Sequence, residues 1–483
     1  MAETLKEKTA KGLFWGAINN GSTQILNLII GIFLARLLTP AAYGIVGVLA
    51  VFTAIAGVLQ TSGLGLAIIN IKEPTDREYN AVFWFNILVS FGLYVILFLC
   101  APLIAGFFKQ PCLVEVSRIL FLCLPIAAFS FVCGTYLTKN MMIKEIAIIA
   151  IIALSSSGFV GIFMAFKGYS YWSLVGQQLT YTTISCLGRY YFAPWRPTLH
   201  IDFAPIRGMF SFCVRLVITS IANSLNQNLL TFIFGRLFPI SVVGNYSQAN
   251  KWNTMAHSLV TSTVGQLSQT VLVSVKDEKE RELRVFRKMM RFTAFVSFPA
   301  MFGLALVGRE FILISIGEQW VGSIPLLQIL CLGGAFSPLY ILYQHLVISA
   351  ERSDIFMWCS IGQIVFQLLL ILGLYPYGIM AVVAASSATN ILWLMVWQYC
   401  ANRLTGLRLM DVLKDVCPFM FASIVVLAAT WFLTSGISNL ILLLVVRILV
   451  ASVLYFSVLK LAHAVILDEC LQFLLKKRRS ALN

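Results

Sequence analysis

Two positively charged residues lie inside long, partly polar apolar stretches of this sequence, Arg215 and Lys251. At about 1.5 Å per helical residue, Arg215 is expected about 10 Å from the cytosolic face of a membrane helix and Lys251 about 10 Å from the outer face. All 20 Asp and Glu residues can be placed in linkers, tails or span ends. A cationic interior without carboxylates suits an anionic ligand, since arginine and lysine both bind phosphate oxygens. The pair therefore predicts a phosphate or diphosphate site, with snorkelling to the nearer interface as the alternative.

Polar residues also recur along the two stretches that contain these cations and along the first apolar stretch of the chain. Polar groups that face lipid cost free energy, so helices with a polar band are expected to face a watery cavity or each other. Hydrogen bonding between helices, at about 0.6 to 2 kcal/mol each, is the alternative for any single residue. For His257, a helix-tying role and a titratable role both stay open. The predicted polar lining consists of Asn20, Gln24, Asn27, Asn223, Gln227, Trp252 and His257.

Composition decides what kind of element carries these residues. Apolar residues make up 59% of the chain and charged residues only 11%, which is more apolar surface than a soluble core of 483 residues could hide. The apolar segments are continuous over about 20 residues, which indicates helices and not the strands of a barrel. We therefore predict an all-α polytopic membrane protein. The 11 cysteines have no metal-binding spacing, and we expect no metal site and no cofactor.

Fourteen transmembrane helices are predicted, arranged as two pseudo-symmetric six-helix lobes plus two extra C-terminal helices. The expected parts are an N-lobe at 1–195, a cytosolic linker at 196–207, a C-lobe at 208–402, and two last helices with a basic cytosolic tail at 403–483. The predicted spans are 13–37, 45–70, 80–100, 117–137, 146–166, 171–192, 208–236, 244–273, 290–309, 323–349, 355–374, 378–401, 416–435 and 439–462.

The formal net charge of +15 is explained by topology. With the N-terminus in the cytosol, most of the 35 Lys and Arg residues fall on the cytosolic side of the predicted membrane. This excess predicts that both termini are cytosolic, and no nucleic-acid partner is needed to account for it. Arg447, in an otherwise apolar last span, is expected to snorkel or to contact lipid headgroups.

An internal repeat supports the two lobes. ARLLTPAAYG, residues 35–44, returns as GRLFPISVVG, residues 235–244, so that Arg36 pairs with Arg236 and Gly44 with Gly244 at an offset of 200 residues. In both copies proline and glycine end one polar helix and start the next. We interpret the two copies first as pseudo-symmetric outer hairpins. An outer gate, or a phosphate contact on the exit side, is the second interpretation of Arg36 and Arg236.

Four segments carry a family resemblance: ARLLTPAAYG, GYSYWSLVGQQ (168–178), NYSQANKW (245–252) and GEQWVGSIPLLQIL (317–330). They resemble the Wzx-like polysaccharide flippases of the multidrug/oligosaccharidyl-lipid/polysaccharide exporter superfamily. The resemblance implies a V-shaped transporter with alternating access. It also implies a lipid-linked oligosaccharide on undecaprenyl diphosphate as substrate, moved from the cytosolic to the periplasmic leaflet of a bacterial inner membrane.

Further expectations follow from the same resemblance. In related peptidoglycan-precursor flippases, the two extra helices are thought to form a groove for the lipid tail. The expected partners are the lipid-linked oligosaccharide, membrane lipid and the polysaccharide polymerase machinery, and the expected oligomeric state is a monomer. Family members often have acidic residues near the cavity, and this chain departs from that pattern, which leaves its coupling ion open.

Two other classes of function make different demands on the sequence. A multidrug or cation antiporter of the same superfamily would need membrane-embedded carboxylates, which the predicted spans lack. A membrane polysaccharide polymerase or ligase would need a sizeable outer loop with catalytic residues, whereas the predicted outer connections are short and the four His residues form no triad. The sequence thus favours transport over catalysis.

Overall fold

The computed structural model describes residues 5–61, 63–199, 201–275, 278–462 and 466–467, and side chains at several further positions, including 5–14 and 215, lie outside the description. In the described part every regular element is a helix. Eleven helical stretches of this part are long and apolar enough to cross a membrane. The predicted class, an all-α membrane protein, is confirmed, while the count of fourteen spans and the lobe boundaries stay predictions.

The chain divides into two compact units, residues 1–247 and 248–483. Three of the predicted spans correspond to α8, α9 and α10, which reach span length but are more polar than the eleven apolar stretches. The helices of the first unit are α1 Leu5–Leu37, α2 Pro40–Thr61, α3 Leu64–Asn70, α4 Asp76–Phe108, α5 Leu113–Leu120, α6 Cys123–Lys139, α7 Ile143–Phe166, α8 Trp172–Phe192, α9 Ala204–Leu237 and the first residues of α10 Ile240–Val275.

In its described residues the second unit contains the rest of α10 and seven further α-helices. Within it α11 packs extensively on α16, α12 and α17, and α12 packs on α15. Short 3₁₀ turns cover Glu318–Trp320 and Tyr375–Tyr377. The α-helices are α11 Lys279–Ser315, α12 Ser323–Gly334, α13 Ser337–Ser349, α14 Ser353–Leu374, α15 Ile379–Thr405, α16 Leu409–Thr434 and α17 Leu440–Leu461.

Three spans that the sequence predicts as single helices are broken. The span at 45–70 is α2 followed by α3, with Gly63 at a φ of 68° between them. The span at 117–137 is α5 followed by α6, and that at 323–349 is α12 followed by α13. A break inside a membrane leaves backbone carbonyls without their helical N–H donors. Lipid contains no water to replace those donors, so other protein groups must donate to the carbonyls.

Buried side-chain amides donate to backbone carbonyls beside two of these breaks. Asn86 on α4 donates to the carbonyl of Gln60 at the end of α2 (2.5 Å), and the Gln60 side chain donates to the carbonyl of Leu124 at the start of α6 (3.0 Å). Both amide residues are buried. The two contacts join three helices of the first unit at the points where regular hydrogen bonding stops.

A proline inside α11 also frees a backbone carbonyl, and a side chain from another helix bonds to it. Pro299 lies inside this helix and has no N–H, so the carbonyl of Phe295, four residues earlier, loses its helical donor. The hydroxyl of Tyr455 on α17 donates to this carbonyl at 2.9 Å. On the same helix Arg287 and Asp415 of α16 form an ion pair (2.6 Å). Helix α11 is therefore fixed to both C-terminal helices by polar contacts.

Replacing Gln60 with leucine should lower the free energy of unfolding by about 0.5–1.5 kcal/mol, because the buried hydrogen bond that joins α2 to the carbonyl of Leu124 on α6 is lost. A denaturant titration of the protein in detergent micelles measures the loss. Gln178→Leu serves as the matched control, since Gln178 is exposed on α8, and it should change stability by less than about 0.5 kcal/mol. Equal stability of the two variants would contradict the role assigned to Gln60.

Candidate functional site

Helices α1 and α9 expose amide side chains along part of their length. On α1, Asn20 and Asn27 are exposed and Gln24 is half-buried; on α9, Asn223 and Gln227 are exposed at a spacing of one helical turn. Both helices belong to the first unit and are long enough to cross a membrane. Exposed amides on such helices need a watery surface, because in lipid each would lack hydrogen-bonding partners. The spacing seen in the sequence therefore corresponds to real helix faces.

Lys251 lies on α10 in the second unit and is half-buried. Its ammonium is 5.7 Å from the centre of the Trp252 ring, a cation–π distance. Within the described residues it makes neither a hydrogen bond nor an ion pair with a carboxylate. A lysine of this kind holds a positive charge that the surrounding protein leaves available for an anion.

Two other predicted lining residues of α10, Trp252 and His257, contact protein groups in this structure. Trp252 is only 3% exposed and packs edge-to-face on Phe311 at 5.2 Å, so in this conformation its ring supports Lys251 and is not an accessible surface. The His257 ring contacts the hydroxyl of Thr261, one turn later on the same helix, at 3.3 Å between Nδ1 and Oγ1. That contact lies within one helix, and both interpretations of His257 stay open.

The side chain of Arg215, the second predicted ligand of the diphosphate, lies outside the described residues. The structure describes the backbone at this position as part of α9. The diphosphate site of Arg215 and Lys251 therefore stays a prediction.

The repeated hairpin holds its second arginine in a defined contact. Arg236 at the end of α9 donates to the carbonyl of Phe107 on α4 (2.9 Å), and its guanidinium lies 5.3 Å from the Phe107 ring centre. Phe107 in turn stacks on Phe232 at 5.5 Å. Arg36, at the equivalent place on α1, is exposed. Arg236 thus joins α9 to α4.

The two glycines that end the repeat make reciprocal contacts in the first unit. A Cβ atom added at Gly44 of α2 would collide with the carbonyl of Ile240, the first residue of α10. One added at Gly244 would collide with the carbonyl of Pro40, the first residue of α2. Since Pro40 and Ile240 are themselves related by the 200-residue offset, the repeat is expressed as a symmetric crossing of α2 and α10 that only glycine permits.

Arg447 does not snorkel, and the expectation that it would is wrong. Its side chain is 9% exposed and forms an ion pair with Glu310 of α11 at 2.9 Å. It also donates to the hydroxyl of Thr434 (3.2 Å) and the carbonyl of Leu306 (3.3 Å). A guanidinium with this many acceptors within the protein gains nothing from reaching the interface.

The sequence did not predict this ion pair, because Glu310 follows directly after the predicted end of a span. The span was predicted to stop at 309, before two adjacent charges, whereas α11 continues to Ser315 and buries Glu310 at 3% exposure. A lone arginine in an apolar helix was the available signal, since a charge inside the membrane needs either a counter-charge or access to the interface.

Arg447 also lines an apolar cavity of about 610 Å³ formed by α11, α16 and α17. Its walls include Leu304, Val307, Val426, Leu427 and Ala451. The two C-terminal helices that have no counterpart in the repeat thus form, with α11, a largely hydrocarbon-lined space that has one paired charge at its edge.

The comparisons with known proteins agree with this architecture. A family described as polysaccharide biosynthesis protein matches residues 33–325. The chain belongs to this family. The match contains the first copy of the repeated hairpin, the second copy and the polar helix α10. The resemblance to the polysaccharide branch of the exporter superfamily, predicted from the motifs, is confirmed.

Two bacterial proteins are similar to most of this chain. The chain is 26% identical over 359 residues to the lipopolysaccharide biosynthesis protein WzxC of Escherichia coli K12, covering 73% of this chain and 72% of that protein. It is 24% identical over 407 residues to the teichuronic acid biosynthesis protein TuaB of Bacillus subtilis 168, covering 83% and 82%. The two proteins are named for the biosynthesis of different products, lipopolysaccharide and teichuronic acid.

Solved structures identify the fold. The lipid II flippase MurJ in an inward closed conformation superposes with a TM-score of 0.75 at 14% identity, covering 94% of this chain and all of that chain. An inward-facing multidrug transporter of the MATE family gives a TM-score of 0.61, also at 14% identity, covering 80% and 96%. At this identity the likeness concerns the fold, which is the one shared by these transporters.

Proposed function

We propose that the protein is a flippase that moves a polyprenyl-diphosphate-linked oligosaccharide from the cytosolic to the outer leaflet of a bacterial inner membrane by alternating access. The observation that carries this proposal is Lys251, a half-buried cation on a span-length helix that has no carboxylate partner among the described residues. An anion has to cross the membrane with the glycan, and a diphosphate is the charged part of such a carrier lipid. Membership of the polysaccharide biosynthesis family supports the glycan.

The remaining parts of the substrate have matching surfaces. Exposed amides such as Asn27 and Gln227 offer the neutral hydrogen-bonding groups that sugars need. The apolar cavity of α11, α16 and α17 suits a hydrocarbon chain, so the polyprenyl tail can remain in an apolar environment while the head group moves. The diphosphate is assigned to Arg215 and Lys251, each of which takes it at a different stage of the cycle.

The membrane potential supplies a driving force in this scheme. A potential of about 100 mV contributes about 2.3 kcal/mol for each elementary charge that crosses. An inside-negative potential favours outward movement of the diphosphate and the inward return of an empty, positively charged site. Glu310 of α11 is a buried carboxylate that forms an ion pair with Arg447, a residue that lines the apolar cavity of α11, α16 and α17. The scheme therefore does not use Glu310 as a free carboxylate.

Replacing Arg215 and Lys251 together with glutamine should abolish surface polysaccharide and cause lipid-linked precursor to accumulate on the cytosolic side. The loss is expected because both charges that bind the diphosphate are removed. Extraction and chromatography of the precursor from complemented deletion cells measures it. Lys72→Gln is a suitable control, because Lys72 is exposed in a loop of the first unit.

Each result discriminates between classes of function. Normal polysaccharide in the double variant would overturn the assignment of the diphosphate site. A change in drug sensitivity without precursor accumulation would favour a multidrug or cation antiporter. Precursor that reaches the outer leaflet but is not polymerised would favour a polymerase or ligase.

A further inference from the structure

A second cavity, of about 400 Å³, lies inside the first unit between α3, α6, α7 and α8. None of the residues predicted to bind the diphosphate lines it. Its apolar wall includes Phe131, Ile146 and Ile149, and its polar wall is formed mainly by one face of α8. The cavity is therefore amphipathic, with hydrocarbon on one side and hydrogen-bonding groups on the other.

Three donors on α8 point to this cavity. Tyr181, Ser185 and Arg189 follow one another at intervals of four residues, which places them on one face of the helix, and all three line the cavity. Within the described part of the chain, none of their side chains makes a hydrogen bond or an ion pair. A phenol, a hydroxyl and a guanidinium in one column thus have unused donor capacity directed at the same space.

The arginine is held close to the neighbouring helix. A Cβ atom added at Gly134 of α6 would lie 3.3 Å from both Cδ and Nε of Arg189. The glycine therefore leaves room for the guanidinium to lie along the α6 backbone, at the cavity wall. A larger residue at position 134 would push the charged group away from this place.

The guanidinium of Arg189 forms no ion pair within the described residues, unlike the nearby cations, which bond to backbone carbonyls. Lys139 donates to the carbonyls of Ile68 and Ile69 (3.4 and 3.1 Å) and thereby caps α3. Arg196 donates to the carbonyl of Trp195 (2.8 Å). Among the described residues that line the cavity there is no Asp or Glu. Among the described residues, Arg189 is thus a half-buried cation with neither a carboxylate nor a carbonyl as a bonding partner.

The threonine hydroxyls of α6 that line the cavity already donate to backbone carbonyls, so the donors that remain for a ligand lie on α8. Thr135 donates to the carbonyl of Phe131 (3.1 Å) and Thr138 to that of Gly134 (3.0 Å), both within α6. Their oxygens can still accept, but their protons are already bonded. The ligand must therefore supply acceptors to α8, and several acceptors on one negatively charged group suit a tetrahedral oxyanion.

We propose that this cavity is a second, anion-specific site that binds a phosphate group through Arg189, Ser185 and Tyr181. The group is either the phosphate of an anionic lipid headgroup or free phosphate. The apolar wall opposite the donors suits the glycerol and first methylene groups of a lipid, and its volume is sufficient for a headgroup. This site goes beyond the proposed transport of a glycan carrier and does not depend on it.

Binding to the purified full chain in neutral detergent tests the site. The probes are dihexanoyl phosphatidylglycerol, dihexanoyl phosphatidylcholine and inorganic phosphate, and the readout is the dissociation constant from calorimetry. We expect the phosphatidylglycerol or the phosphate to bind, and Arg189→Gln to weaken that binding about tenfold or more, because it removes a charge-assisted contact. Arg207→Gln, which removes an exposed arginine from the start of α9, should leave it unchanged.

The probes also distinguish the source of the phosphate. Tighter binding of phosphatidylglycerol than of inorganic phosphate identifies a lipid headgroup, and equal affinities identify a free anion. Tyr181→Phe keeps the ring and should weaken binding about two- to tenfold, which tests the site even if Arg189→Gln folds poorly. Equal binding of phosphatidylcholine and phosphatidylglycerol, no binding of any probe, or full affinity in both variants would overturn the proposal.

Discussion

Replacing Glu310 with alanine is expected to lower the free energy of unfolding by about 3–5 kcal/mol, because it leaves Arg447 as a buried charge without a counter-charge. The remaining acceptors of Arg447, the hydroxyl of Thr434 and the carbonyl of Leu306, are neutral and cannot compensate the charge. Unfolding in mixed micelles, followed by loss of helical ellipticity, measures the difference. Since α17 carries Arg447 and α11 carries Glu310, the loss should loosen the C-terminal helices first.

Two controls separate the ion pair from a general effect of losing a carboxylate. Glu318 is exposed shortly after α11, and Glu318→Ala should change stability by less than about 0.5 kcal/mol. The double replacement Glu310→Leu with Arg447→Met removes both charges and keeps the volume, so it should restore stability to within about 1 kcal/mol of the original. If Glu310→Ala is as stable as Glu318→Ala, the pair has no structural role.

The second large effect is expected at the reciprocal glycine crossing. Gly44→Ala adds a methyl group that meets the backbone carbonyl of Ile240, and a backbone atom cannot turn away as a flexible side chain can. We expect a loss of about 3 kcal/mol in the free energy of unfolding, together with impaired polysaccharide export. Gly244→Ala should behave in the same way, because it meets the carbonyl of Pro40.

The same helix contains a matched control for this change. A Cβ atom added at Gly57 of α2 meets nothing within 4 Å, so Gly57→Ala should be neutral or stabilising by about 0.5–1 kcal/mol through better helix propensity. Thermal unfolding and surface polysaccharide are measured for all three variants. Similar behaviour of Gly44→Ala and Gly57→Ala would mean that the crossing is not tight.

The proposed function and the second phosphate site place different demands on the chain. Export requires a charge that binds and releases its ligand, which suits a lysine such as Lys251 whose partners in the described chain are aromatic. Arg189 is held along a helix backbone beside two hydroxyl groups, which suits a ligand that stays. The variants at these two positions can therefore fail independently.

The sequence by itself determined the class, the family and the polar helices. Membrane insertion and helix formation depend on the composition of about 20 consecutive residues, which is a local property that can be counted along the chain. The spacing of Asn20, Asn27, Asn223 and Gln227 is local too, and their side chains are exposed on α1 and α9 as the period predicts. The repeat of Gly44 and Gly244 was also readable, since the two copies share an offset.

Only the tertiary structure decided what the isolated charges contact. Arg447 and Glu310 lie 137 positions apart, and a charge buried in a membrane is stabilised by whichever counter-charge the packing brings to it, which no local pattern contains. The break between α2 and α3 was hidden for the same reason, because the freed carbonyl of Gln60 is satisfied by a distant group, the side chain of Asn86. Only the packing of α6 against α8 shows that Arg189 faces a cavity whose described lining residues include no Asp or Glu.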